Sequence, residues 1–194
     1  MTAECSLPLT AIEGKNIHLE TNRSGKTPYA RISYADSMLC LDPFSIVTSS
    51  LPILYYDFNR GRIDIDLSSD NTSLAKFKMM QDTIISNIHL QQYEWFQTQT
   101  LTLDSIREKF QPFLQGNVLS IYLSTILRSG KPVLVYKSGN WSNSLKANTL
   151  IVGKSVRFIL RLTGIQSFYS IGVLNHPRNL KCHIVMHPLA LIMA

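Results

Sequence analysis

The chain has 194 residues, 45% hydrophobic and 16% charged, which is enough apolar material for a packed core and too little charge for a disordered chain. Its net charge of +6 is unevenly spread: the first 108 residues hold nine Lys or Arg and thirteen Asp or Glu, the last 86 hold ten basic residues and no acidic one. The start lacks a basic region followed by a long apolar stretch, no apolar run nears the roughly 18 residues of a membrane span, and Cys5, Cys40 and Cys182 form no CxxC or CxxH pair, which argues against a leader, a transmembrane helix and a zinc ribbon. The expected setting is intracellular, nucleus or cytoplasm, with the three thiols free and buried.

One domain over 1–194 is expected, in three parts: an acidic strand-rich stretch 1–70, a helical segment 71–113 and a basic strand-rich stretch 114–194. In the first part, Asn16 to Leu19 and Pro28 to Tyr34 read as strands separated by a polar loop, and Met38 to Leu41 returns across Ala35-Asp36-Ser37 as a hairpin. Phe44 to Val47 and Ile53 to Phe58 are β-branched and aromatic. Asn59-Arg60-Gly61 is a hairpin signal, and Arg62 to Leu67 alternates strictly, placing Ile63, Ile65 and Leu67 inward and Arg62, Asp64 and Asp66 outward.

The period then changes from two to about 3.6. Asp70 to Ser73 supply capping side chains, and Leu74, Phe77, Met80 or Gln81, Ile84, Ile85 and Ile88 form one stripe, so Ser73 to about Tyr93 is the strongest helix in the chain. A shorter helix runs from Asp104, as its cap, to Phe110, ended by Pro112 and Gly116. Beyond Gly116 the period of two returns: Val118 to Leu127, a turn at Ser129 to Pro132, Val133 to Lys137, a loop from Ser138 to Ser144, the well-patterned strand Val156 to Thr163, then Ser167 to Val173 and Lys181 to His187. Strands, then helix, then strands define a β-rich α+β chain. It suits a curved antiparallel barrel with a helical insertion between two strand groups, as well as an open sheet.

The carboxylate-free stretch makes a one-signed field that attracts polyanions. Arg157 and Arg161 lie four apart on one strand, hence on one face about 13 Å apart, with no acid in the same half to pair with them. Lys137, Lys131, Arg128 and Lys146 extend the cationic set. Trp141, in a polar loop between Lys137 and Lys146, and Tyr122, alternating with serines, are the candidate stacking rings, joined by Phe168. Tyr29, Arg31 and Tyr34 offer a smaller set in the acidic half, with Arg31 the phosphate-binding candidate. A stacked base is worth about 1–3 kcal/mol, and phosphate neutralisation adds a salt-dependent remainder.

Enzyme signatures are scarce, and neither catalytic residues nor a cofactor are expected. His183 and His187 share a strand face, but a metal site would need a third ligand, and His176 brings no acid with it. Asp64 and Asp66 on one outer face would suit Mg²⁺ in a nuclease, yet no lysine-anchored motif follows them. Arg23 to Thr27 ends like a P-loop, but Glu20 occupies the position of its first glycine.

Three stretches carry a resemblance: Tyr29-Ala30-Arg31-Ile32-Ser33-Tyr34; Leu51 to Phe58 with Gly61 to Ser68; and Val156-Arg157-Phe158-Ile159-Leu160-Arg161-Leu162-Thr163-Gly164-Ile165-Gln166 followed by Ile171-Gly172-Val173. They resemble the front strands and the closing strands of single-stranded DNA-binding proteins of large DNA viruses. The resemblance covers about residues 28 to 187 and implies an OB-type barrel with a helical excursion. It also implies single-stranded nucleic acid as partner, DNA favoured over RNA, in replication or recombination. This chain has Ser167, Phe168 and Tyr169 after the LTGI run and lacks a long acidic C-terminal tail. Charge segregation further suggests head-to-tail homo-oligomers, the acidic half of one copy meeting the basic half of the next. The alternative is a structural or interaction protein, such as a virion component, whose basic face meets an acidic protein partner. No membrane partner is expected.

Overall fold

The computed structural model describes residues 5–22, 28–122, 134–137, 139–142, 150–169, 176 and 179–193. The chain begins with β1 (Ser6–Pro8), two single-turn 3₁₀ helices, β2 (Ile17–Asn22), β3 (Tyr29–Ala35), β4 (Cys40–Leu41), β5 (Phe44–Asp57) and β6 (Arg62–Asp66). Three helices follow: α1 (Asn71–Leu90), α2 (Gln92–Phe96) and α3 (Leu103–Arg107). The rest is β7 (Phe110–Gln111), β8 (Leu114–Gln115), β9 (Val118–Tyr122), β10 (Leu134–Lys137), β11 (Asn140–Ser142), β12 (Ser155–Tyr169) and β13 (Leu180–Met193). The β-rich α+β class expected from the sequence is the class observed.

The main path of the sheet runs β11-β10-β13-β12-β5-β6-β9-β8. β12 is its spine. It pairs antiparallel with β13 along its whole length, with β5 from Ser155 to Leu162, and with β3 at Ile165 and Gln166. β5 leaves β12 after Pro52 and pairs with β6 from Ile53 onward, so one strand belongs to both parts of the sheet. A register shift between Arg157 and Ile159 marks a bulge in β5, and Thr48 fills the gap there: its Oγ1 accepts the Phe158 N–H at 2.9 Å. β7 pairs with β13, β8 pairs with β9, and only Pro112 and Phe113 separate the two. Among the described residues no ladder joins β9 directly to β13, so the sheet curls without closing on itself.

The inner face of the curl is the core. Ile63, Ile65, Leu119, Ile121, Phe158, Leu160 and Leu162 are all buried, the alternation read from β6 and β12. α1 lays Phe77, Met80, Ile84, Ile85 and Ile88 into the same core. Asp70 starts that helix by accepting the Ser73 N–H at 2.9 Å.

Several expectations change. Phe44 to Phe58 is a single strand of 14 residues ending at Asp57, because Leu51 is buried between the two predicted pieces and carries the pattern through. The long predicted helix stops at Leu90, and α2 continues after a break at Gln91. Thr102, not Asp104, caps α3, its Oγ1 accepting the Ser105 N–H, and Phe110 is already strand. β13 runs on to Met193, so the apolar C-terminal residues are a central strand. Only Cys182 is buried; Cys5 and Cys40 are exposed free thiols. Ser167 to Tyr169, predicted to open a separate strand running to Val173, continue β12; the rest of that strand, the predicted turn at 129–132 and residues 123–127 of the strand predicted from Val118 lie outside the described residues.

Candidate nucleic-acid interface

Directly paired residues share a face of a sheet, so the ladders show which side chains stand together. Ser50 on β5 pairs with Arg157 on β12, Arg157 with Ile192 on β13, Ile192 with Tyr136 on β10, and Tyr136 with Trp141 on β11. One row therefore crosses five strands on the outer face and ends in two aromatic rings. Their centroids are 5.0 Å apart with planes tilted by 54°. Trp141 is 54% exposed and Arg157 is exposed. Sequence reading placed Trp141 in a loop; it sits instead on a short hairpin strand, whose turn is made at Gly139 with φ +83°. Tyr136, one of the aromatics interleaved with the cations of the basic half but outside the candidate stacking set, joins Trp141 here through the alternation of β10.

Farther along β12 the same face carries Arg161, half-buried, opposite Ser45 and His187. An extra residue, Thr163, then switches the parity, so the face continues through Gly164, Gln166 and Phe168. β3 joins here, with Tyr29 opposite Gln166, which puts Arg31 on this face too. Glu20 of β2 is the direct cross-strand neighbour of Arg31. Tyr34 points the other way and is buried. Gly164 has no room for a side chain: a Cβ there would lie 2.3 Å from the Ala30 carbonyl oxygen. His183 and His187 do share this face, as their spacing suggested. Among the described residues, no three His, Cys, Asp or Glu are grouped as metal ligands.

The outer face therefore gathers Arg157, Arg161, Phe168, Arg31 and Trp141 from the sequence-derived set. Lys137 departs from it: one residue beyond Tyr136, its register places it on the face of buried Val135, at an exposed strand end. Arg128, Lys131 and Lys146 lie outside the described residues. The five ion pairs between described residues (Glu13–Lys15, Asp57–Arg60, Asp64–Arg62, Asp82–Arg107 and Asp104–Arg107) all fall within the first 108 residues. Among the described residues, Arg157 and Lys137 meet no carboxylate.

Tyr122 and Phe168, far apart in sequence, line one cleft of about 280 Å³ between β9 and β13, floored by Pro112 and Phe113. His183 lines it too, its ring centroid 5.8 Å from that of Phe168. Burial pushes the His183 imidazole below the ordinary histidine value, and its Nδ1 is buried with no hydrogen-bond partner among the described residues. Beside the cleft, Arg62 faces Tyr122 across the ladder and Asp64 faces Ser120. Asp64 was expected on a solvated face with Asp66, but it is only 7% exposed. Its carboxylate accepts the Arg62 Nε–H and the Ser120 hydroxyl, each at 2.8 Å. Asp66 accepts from the backbone and hydroxyl of Ser68. The nuclease-like pair is thus occupied by its own neighbours.

No family model, curated protein or solved structure matches this chain. Among the described residues no helix is long and apolar enough to cross a membrane.

Proposed function

We propose that this chain binds single-stranded nucleic acid, DNA in preference to RNA, without strong sequence preference, as a binding protein rather than an enzyme. The curled sheet is read as an OB-like barrel whose gap is bridged by residues 110–115, and its service is to viral-type DNA replication or recombination. The observation that carries the reading is the five-strand row that runs from Ser50 through Arg157 and Ile192 to Tyr136 and Trp141. It sets a cation with no carboxylate partner among the described residues on the same face as an exposed aromatic pair. Phosphate meets the cations along β12, and bases stack on the rings, the two contributions that single-strand binders combine. Between Arg157 and Phe168 the strand offers a path of about 36 Å.

The test is a titration of oligo(dT) at two salt concentrations, with duplex DNA and RNA as comparisons. Trp95 is fully buried and Trp141 exposed, and these are the two tryptophans of the chain, so quenching of the exposed indole reports binding. Affinity that falls steeply with salt, together with quenching, supports the reading. Equal affinity for an acidic protein surface, without quenching, favours an interaction protein instead.

A further inference from the structure

We infer that the cleft between β9 and β13 holds one unstacked nucleotide of the bound strand, a second base site distinct from the Tyr136–Trp141 platform; this rests on the proposed single-strand binding. Four observations meet there. Two rings, Tyr122 at 41% and Phe168 at 38% exposure, reach the same space from different strands. Its volume, about 280 Å³, falls just below the range of ordinary ligand pockets, about 300 to 1,000 Å³, and suits one heteroaromatic ring system rather than an extended cofactor. Polar groups for the edge of a base are present. Ser120, which donates its proton to Asp64, keeps its lone pairs, and Gln111 adds an amide. The backbone of β13 adds more: on the side away from β12 it pairs with β7 at Cys182 and His183 and with β10 from Ala190 to Ile192, and between them Ile184 to Met186 line the cleft. Finally, Lys181 stands directly opposite Phe168 on the ladder, which supplies a cation for the phosphate of a base stacked on that ring.

The site lies on the same face as Arg157 and Arg161. About nine residues of β13 separate His183 from Ile192, or about 30 Å of extended strand. A strand running along β12 and β13 would thus stack at Trp141, pass the two arginines and end in the cleft.

The experiment is photocrosslinking of the full chain with oligo(dT) in which a single 5-iodouracil is moved from position to position, with the adducts mapped by mass spectrometry. Adducts at Tyr122 or Phe168 for one position, and at Tyr136 or Trp141 for a position several nucleotides away, are the expected result. Phe168→Leu, which keeps an apolar side chain at the site, is expected to remove the first adduct, keep the second, and weaken oligo(dT) binding by about tenfold. Salt-sensitive binding with adducts confined to Tyr136 and Trp141 overturns the cleft proposal and leaves the single-strand reading standing. No salt-sensitive binding of any oligonucleotide overturns both.

Discussion

The rings of Tyr136 and Trp141 meet across the β10–β11 hairpin with centroids 5.0 Å apart, held in register by the pairing of those two residues. An exposed indole braced by a phenol is a prepared surface, since part of its side-chain freedom is already spent before a base arrives.

Trp141→Ala is therefore expected to weaken oligo(dT) binding by about 5- to 150-fold, from a stacking contribution of about 1–3 kcal/mol. It should leave the unfolding free energy within about 0.5 kcal/mol of the parent, because the indole is exposed. Anisotropy of a dye-labelled oligo(dT), which needs no tryptophan at 141, and a denaturation curve followed at buried Trp95 separate the two effects. A loss of stability with unchanged affinity would contradict the assignment.

Arg157→Ala removes one cation that meets no carboxylate among the described residues. The slope of log affinity against log salt should become shallower by about one. Asp64→Ala, by contrast, should leave the slope unchanged. It strands the Arg62 guanidinium and the Ser120 hydroxyl that now share its carboxylate, and should cost about 1–3 kcal/mol of stability. Magnesium should not restore anything, which a thermal melt with and without Mg²⁺ checks.

Gly164→Ala puts a methyl group against the Ala30 carbonyl at the point where β3 joins β12. The expected loss is about 2 kcal/mol or more, read from chemical denaturation. Arg31, on β3, should lose its contribution to binding together with that junction.

Burial lowers the pKa of His183, so the folded chain holds the imidazole neutral where the unfolded chain takes up a proton. Above the ordinary histidine pKa of about 6.5 the group is neutral in both states and the folded state loses nothing. As pH falls below that value the unfolded state binds more protons and stability declines. The urea midpoint should thus drop between pH 7.5 and 5.5, and His183→Gln should flatten that part of the profile. A parallel profile in the variant would place the effect elsewhere.

Much of the fold was legible because strict alternation leaves few choices. Ile63, Ile65 and Leu67, and Val156, Phe158, Leu160 and Leu162, are buried where their parity put them, and the stripe from Phe77 to Ile88 packs as read. What alternation does not carry is pairing between distant strands. Tyr122 and Phe168 share a cleft only because the curl of the sheet brings β9 beside β13, and nothing local in either strand encodes that. Bulges hide more: Thr163 reverses the parity of β12, so Phe168 joins the face of Arg161 although simple counting places them on opposite sides. Asp64 looked solvated because its burial depends on Ser120, 56 residues away. The five ion pairs between described residues all join side chains of the first 108 positions, where the sequence places both signs of charge.

β12 borders β13, β5 and β3 at once. The amides from Phe158 to Ile165 should be the last in the molecule to exchange with deuterated solvent, opening only when everything opens. A ligand lying along that strand would grip the most rigid part of the protein. Its affinity would then persist nearly to the melting temperature, and bound oligonucleotide would raise that temperature rather than merely reshape a loop.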